Sequence, residues 1–572
     1  MNCNNAADIV LTNGIIYTAD CSETVCEAVA VKDNQIVFTG SAAEVRRYIG
    51  KKTNTIDLQG KMVVPGFLDT HIHPPGLSLV EMCEVQLSHL HSLNEYCMAV
   101  QDFLLQNPGT KAIYGRGWSW GAFTGSELIK GPRKEYLDAI TKDIPIVLRA
   151  SDGHTLWVNS KALEVNGISQ ETEVPRGGAI EKDPASGEVW GTLKETAMRL
   201  IALPEYTMAQ YVEAMAAFQK KMHCFGITGM LCMGSLTFAT IFSALDELQK
   251  CGNLQMRVRG AITVNPQDDL KSQFASIDAL QKRFHTDVLK VTAAKFFADG
   301  VVEGGTSYIL EPYTGKIGKG TNYCGEFLWD IKKLKEAFSL TNQRGLQIHV
   351  HSTGDASTRC VLEAMEHTKA AVEEGDYRNT ITHLQLVDAG DILRFKELGI
   401  IASVQPYWHY KIPAWWDAVD YQFLGERAED EFPLGTFFAN GVVVTSSSDY
   451  PATIIPNPLY AIEIGVTRNI DNGEFYGIED ITHIDDEKYL LNKGERATVG
   501  QMLKSFTANG AYALFMENLV GSIEAGKLAD MVVLDQNLLA INPVDIDKVK
   551  VVMTFFDGKL VYERLPSHSG RK

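Results

Sequence analysis

Basic residues are the scarcer charge in this sequence: 53 Lys plus Arg stand against 71 Asp plus Glu, a formal net charge of −18. Binding a phosphate backbone requires a basic face, so this balance argues against a nucleic-acid partner. Long apolar runs are missing too. No segment reaches the roughly 18 uninterrupted apolar residues of a membrane helix, so no membrane partner is expected. The ten cysteines are scattered from Cys3 to Cys360 with no C-x-x-C pair, which excludes zinc-finger spacing and a disulfide framework. The opening MNCNNAADIVLTNG has neither the basic n-region nor the apolar h-region of a signal peptide, and a reduced, cytoplasmic setting is the expectation. Internal repeats and low-complexity tracts are absent. What is there is an ordinary folded composition, 45% hydrophobic and 22% charged over 572 residues. That is material for three or four domains, or for one large barrel with attachments.

The first sixty residues read as short strands. Segments 8–11 and 15–18 flank Asn13-Gly14, a strong hairpin signal, and 28–31 and 35–38 flank Asp33-Asn34, a weaker one. The last fifty residues have the same character, with an apolar run at 531–534 and a hairpin of 549–556 and 560–562 around Asp557-Gly558. Each end alone is marginal for a core, so the expectation is one small β domain assembled from both. The middle alternates apolar runs with amphipathic stretches. Candidate strands are 62–70, 227–231, 255–264, 288–297, 346–351, 380–386, 400–405 and 442–446. A helix is predicted over 357–374, where Val361, Leu362 and Met365 share a face. Eight strand–helix units match a (β/α)8 barrel interrupted by an insertion at about 75–226, which carries strands of its own at 112–115 and 144–148.

Barrel enzymes place their chemistry at the C-terminal ends of the strands. The first candidate strand ends in His71-Ile72-His73, and residues two apart in a strand share a side. The fourth ends in the run from Lys295 to Gly300, the fifth in His349-Val350-His351, the sixth carries His383 and the eighth ends in Ser448-Asp449-Tyr450. Each piece alone is weak; together, in this order on one rim, they describe a metal site. Zinc-class ions accept imidazole nitrogen and carboxylate oxygen. A lysine buried beside Phe296 loses its proton more easily. Its neutral amine can take up carbon dioxide as a carbamate able to bridge two metals about 3.5–4 Å apart. Asp449 would take the proton of the attacking water and return it to the leaving nitrogen.

The blocks PGFLDTHIHP, KFFADG, HSTGD, THLQL and SSSDYP resemble the signatures of the amidohydrolase superfamily. More closely they resemble amidohydrolase family 3, the branch of N-substituted formamide deformylase. GRGWSWGAF (115–123), RASDGHTLWVNSKAL (149–163), GTLKETA (191–197) and GSIEAGKLADMVVLD (521–535) resemble further motifs of that branch, so the likeness covers essentially the whole chain. It implies a distorted (β/α)8 barrel over 62–519, with the insertion after its first strand, and a β-sandwich built from 1–61 and 520–572. It implies His71 and His73 on the more buried metal, Lys295 as a bridging N6-carboxylysine, His351 and His383 on the second metal, and Asp449 as ligand and general acid/base. Strand geometry puts His349 and His351 on one face; the HSTGD block points to His351 and leaves His349 one pleat deeper. The family's HAIGD is here HSTGD and its GSDxP is SSSDYP, changes that spare the ligands but alter the rim. The implied cofactor is one or two divalent ions of the zinc class, and members are commonly homodimers.

The expected reaction is hydrolysis of a non-peptide C–N bond in a small amide. Deamination, cyclic-amide opening and ester hydrolysis use the same water, and pocket shape decides among them. A non-catalytic assembly protein is the competing class; lost ligands would mark it, yet every expected position is filled. Trp118, Trp120, Phe123, Trp157, Tyr407, Trp408, Trp415, Trp416 and Tyr450 fall in segments expected at the mouth, which suits an apolar or aromatic small-molecule substrate. His154 is a candidate donor to the substrate carbonyl, with loop ordering as the alternative.

Overall fold

Apolar runs buried on both faces make a parallel sheet, and eight of them do so in the computed structural model. It describes residues 6–565 apart from 176, 203, 235, 236 and 414. The strands are β1 (Phe67–Ile72), β2 (Ile227–Met233), β3 (Arg257–Thr263), β4 (Leu289–Phe297), β5 (Gln347–Ser352), β6 (Thr380–His383), β7 (Ile401–Val404) and β8 (Val444–Ser446). Each pairs with the next in sequence, all in parallel. Helices Phe238–Lys250, Leu270–Arg283, Ile331–Asn342, Asp355–Ala371 and Ile392–Leu398 return the chain between successive strands. This is the expected distorted (β/α)8 barrel, nearly closed. The β8–β1 seam is held by side chains and by the loop that follows it. Thr70 Oγ1 donates to Thr445 Oγ1 at 3.1 Å, and beyond the strand ends the Asp449 N–H donates to the His71 carbonyl at 2.9 Å.

The helix predicted at 357–374 is Asp355–Ala371, and Val361, Leu362 and Met365 are buried as the periodicity requires. Caps hold such helices where the pattern starts. Asp330, ahead of Ile331–Asn342, accepts from the backbone N–H groups of Lys332 and Lys333.

Two expectations change. The strand read at 62–70 divides at Gly66. Met62–Pro65 joins a terminal sheet, and only Phe67–Ile72 enters the barrel. A Cβ at Gly66 would lie 2.2 Å from Thr228 Oγ1, so only glycine fits where the chain passes β2. The Asn13-Gly14 hairpin is absent, although the turn is there. Ile9–Thr12 pairs with Ala28–Lys32 and Asn54–Asp57, whereas Ile15–Tyr17 pairs with Val25–Cys26 and Met62–Pro65. Asn13, at φ 59, carries the chain from one sheet to the other and is held by its side-chain bond to Asp57 at 2.8 Å. The Asp33-Asn34 and Asp557-Gly558 hairpins form as read.

The terminal segments make two sheets. One has four strands, all from the N-terminal region. The other has six, ordered Lys559–Glu563, Val551–Phe556, Met531–Leu534, Met62–Pro65, Ile15–Tyr17 and Val25–Cys26, so both ends of the chain share it. Leu11, Val29 and Val31 from one sheet pack with Ile16, Val63, Met531, Val533 and Phe555 from the other, the core of a sandwich.

Residues 77–215 form a separate compact unit. Its six-stranded sheet runs in the order Gly178–Lys182, Val189–Glu195, Thr155–Val158, Ile146–Ala150, Ile113–Trp118 and Val85–Gln86. Trp118, Phe123 and Trp157 fill its core.

Candidate metal centre

Polar groups interrupt the barrel's apolar strands near their C-terminal ends. Asp69, on β1, is 1% exposed and accepts from the backbone N–H of His71 at 3.2 Å and of Ser448 at 3.1 Å. It ties the end of β1 to the loop after β8. Burial pushes Asp69 up to about 7, against the pull of the Ser448 bonds.

That tie fixes three donors. Asp449 Oδ1 lies 3.1 Å from His73 Nε2 and 3.4 Å from His71 Nε2. One donor atom from each residue lies within 4.8 Å of the others. Asp449 Oδ1 is buried yet forms no hydrogen bond. Two imidazole nitrogens and a carboxylate oxygen that face one point without bonding one another are a donor set of the kind zinc-class ions take, so these residues fit a cation there. Asp449 stands in left-handed backbone at φ 54 and His383 at φ 78. Such conformations store strain and cluster at functional sites.

The parallel register sets Lys295 beside His349 and Ser352 beside His383. Lys295 is 1% exposed and its Nζ lies 3.3 Å from His71 Nε2. Burial pulls its ammonium down to about 7, opposed by the charge of Asp449. His351 Nε2 lies 2.8 Å from the Gly300 carbonyl, and His383 Nδ1 lies 2.8 Å from Gln405 Oε1. A carbonyl oxygen only accepts, so each ring donates there and keeps a lone pair on its other nitrogen. The two rings pack 4.5 Å apart, with His71 5.1 Å from His383. Burial, then the Lys295 charge, brings His351 down to about 3. Burial, then His351, holds His383 well below the usual imidazole range. Both are neutral at neutral pH, as metal ligation requires.

The structure thus brings together His71, His73, Lys295, His351, His383 and Asp449. His349 lies one pleat deeper, fully buried, with Nε2 2.9 Å from His71 Nδ1. Three positioning groups were missed in the sequence. Gln405 anchors His383 and is itself held by Ser447 Oγ at 2.8 Å. Asp69 acts as described. Asp299 accepts from the backbone N–H groups of Tyr308, Thr353 and Gly354 and from Ser357 Oγ, shaping the turn after His351. Gln405 and Asp299 stand just past β7 and β4. Reading strand ends for any polar residue, rather than for ligands alone, picks them out.

These donors open into a cavity of about 790 Å³, also lined by Tyr407, Trp408, Trp415 and Trp416. Trp408 stacks on His383 at 5.9 Å. The expectation is corrected for Trp118, Phe123, Trp157 and Tyr450, which are buried, whereas Trp120 is only partly buried. Trp118 and Trp157 are fully buried in the core of the 77–215 unit, their indole N–H groups given to the Leu148 and Arg133 carbonyls, and Phe123 packs on Trp157 at 6.0 Å. Trp120 is bonded to Asp152 at 2.8 Å. Large aromatics gain most by completing their own unit's core. Tyr450 is fully buried and lies outside the cavity lining. The His154 side chain is 69% exposed, Nδ1 lies 3.1 Å from Glu195 Oε2, and its N–H donates to Asp152 Oδ1.

The sequence profile of the amidohydrolase family matches residues 54–562. The chain is 30% identical over 575 residues to Protein LONG AFTER FAR-RED 3 of Arabidopsis thaliana, covering 97% of this chain and 92% of that protein. It is 25% identical over 574 residues to N-substituted formamide deformylase of Arthrobacter pascens, covering 98% and 99%. Among solved structures, an uncharacterized metal-dependent hydrolase from Pyrococcus furiosus superimposes with a TM-score of 0.70 at 23% identity, covering 93% of this chain and 99% of that one. That last likeness concerns the fold. With a match running through the barrel and into both terminal regions, the chain belongs to the amidohydrolase family.

Proposed function

We propose that this chain hydrolyses a non-peptide C–N bond, an N-acyl or N-formyl amide of a small apolar or aromatic molecule. The observation that carries the reading is the convergence of His71, His73 and Asp449 beside the buried Lys295 at the mouth of the barrel. His71, His73 and Asp449 would hold one zinc-class ion. His351 and His383 would serve a second, with Lys295 between them as a carbamate. Bound there, such an ion supplies Lewis acidity, lowering the pKa of water from about 15.7 to about 7.

The rest falls to the chain's own groups. Lys295, its ammonium lowered to about 7, presents a neutral amine that adds to carbon dioxide and releases one proton, leaving a carbamate with two oxygens. His349, Gln405 and the Gly300 carbonyl fix the rings of His71, His383 and His351; such outer partners typically matter 10–100-fold, roughly, in metal affinity or activity. The Asp449 carboxylate accepts the proton of the attacking water. That water's oxygen bonds to the carbonyl carbon, the C–N bond breaks, and Asp449 returns the proton to the departing nitrogen. Trp408, Trp415, Trp416 and Tyr407 give the N-substituent an apolar wall. The likeness to N-substituted formamide deformylase supports an amide as substrate.

The test is a hydrolysis screen of N-formyl, N-acetyl and cyclic amides with varied aromatic groups, alongside aminopurines and aryl esters, on zinc-loaded protein. Chelator-sensitive release of amine from N-formyl or N-acetyl amides is expected. Turnover confined to aminopurines, cyclic amides or esters would replace the reading.

A further inference from the structure

Large apolar side chains stand open to solvent where the cavity meets the surface. Trp415 is 45%, Ile454 62% and Phe475 52% exposed, and all three belong to the cavity lining. Single exposed apolar residues are ordinary; three that line one cavity are a patch of the kind that marks a ligand groove. They come from the segments after β7 and β8, the end of the barrel that carries the metal donors. Carboxylates line the cavity as well. Asp420, Glu431 and Asp471 are buried, and burial holds all three above the carboxylate range. Glu303, on the loop after β4, is exposed. What the segments after β7 and β8 offer at the mouth is therefore mainly apolar.

Contacts tie this lip to the interior of the site. Trp408 stacks on His383 at 5.9 Å, and its indole N–H donates at 3.0 Å to the hydroxyl of Thr453, the residue before Ile454. On a second line, Tyr410 packs edge-on against Tyr476 at 6.3 Å, and Tyr476 against Phe475 at 5.0 Å. The first line starts at a candidate ligand ring, and both end at a side chain open to solvent. At about 790 Å³ the cavity lies in the upper part of the roughly 300–1,000 Å³ filled by drug-sized ligands. That is more room than a formamide with one ring takes up.

We infer that Trp415, Ile454 and Phe475 seat the far end of a long alkyl chain carried on the substrate's nitrogen, so that the substrate class is an N-alkyl amide reaching from the metal centre to the lip. A second copy of the chain is the poorer occupant, because the patch continues into the cavity lining rather than standing on a separate face. Cleavage of the amide rests on the hydrolase reading above; binding of the alkyl chain does not. Each methylene withdrawn from water against such a wall tightens binding about two- to fourfold.

The experiment takes N-butyl-, N-hexyl-, N-octyl- and N-decylformamide, each below its aggregation threshold, to the zinc-loaded full chain, and reads kcat/KM by amine release and affinity by calorimetry. From octyl to decyl both should rise about 4- to 16-fold in the wild type. In the double variant Ile454→Asn, Phe475→Ser that ratio should fall below about twofold, while the butyl-to-hexyl ratio persists. Both side chains are more than half exposed, so their replacement spares the core. A flat series in the wild type, an octyl-to-decyl ratio that survives the double variant, or a loss shared equally by the butyl-to-hexyl ratio overturns the lip. So does a dimer that dissociates in the double variant, by sedimentation velocity, with the ratios unchanged; the patch is then a contact between copies. A rise in affinity that the double variant removes, without cleavage of any member, removes the hydrolase reading and leaves the lip standing. Cleavage of the whole series at one kcat/KM and one affinity removes the lip alone.

Discussion

Asp449 joins two demands in one side chain: its Oδ1 faces both His71 and His73, and the proposed proton transfer passes through the same carboxylate. Replacing it with asparagine keeps the shape and removes the base. Asp449→Asn should lower kcat by about 10²–10⁴ while circular dichroism stays that of the wild type; near-normal kcat would take Asp449 out of the mechanism. His351 offers a test in pH. Its folded value is about 3 against an ordinary 6.5, so between the two the unfolded chain holds a proton that the folded chain lacks. Stability present above 6.5 is therefore lost as the pH falls toward 3, at up to roughly 1.4 kcal/mol per pH unit. In metal-free protein the melting temperature of the wild type should fall relative to His351→Asn between about pH 7 and pH 4. A constant gap would mean the ring is not held neutral. At this scale the sequence is most legible where chemistry limits the choice of side chain. His71, His73, His351 and His383 are recognisable by spacing at strand ends, whereas Gln405 is one amide among many until its bond to His383 is seen.

Strands carry this site because alternation and register together decide what meets what. The β4–β5 ladder sets Lys295 against His349, and Phe297 against His351, so a slip of one residue would turn the lysine out of the centre. The barrel is also joined to the terminal sheets through β3, where Arg257 makes two 2.9 Å bonds to Asp530 and one of 3.0 Å to Asp557. Arg257 is 3% and Asp530 1% exposed at the side chain. Removing one partner leaves a charge buried alone, so Arg257→Ala should cost about 3–5 kcal/mol, read as a lowered urea midpoint. An unchanged midpoint would show that water reaches Asp530. The failed Asn13-Gly14 hairpin belongs to this scale. Turn chemistry was read correctly, but a turn does not say which sheet the next strand enters. Leu58 Cδ1 would stand 2.3 Å from a Cβ at Gly14, a packing fact set forty residues away.

The whole molecule holds its donors on a frame assembled from distant segments, and an ion bound only by the folded chain must stabilise that frame. At a free concentration about a hundredfold above Kd, the gain is about 2.7 kcal/mol. Zinc added to chelator-stripped protein should raise the melting temperature, and Lys295→Ala should abolish or sharply reduce the rise. Equal rises in both proteins would remove the lysine from the ion's coordination. The amino-acid sequence alone determined the succession of eight buried strands and the polar groups at their ends, because burial on two faces and side-chain alternation are local properties of a few consecutive residues. Only the tertiary structure decided that Trp118, Phe123 and Trp157 close a core of their own, that Met62–Pro65 leaves the barrel at Gly66, and that Gln405 meets the His383 ring. Each of these depends on neighbours tens or hundreds of residues away, and the packing that selects them exists only once the chain has closed around them.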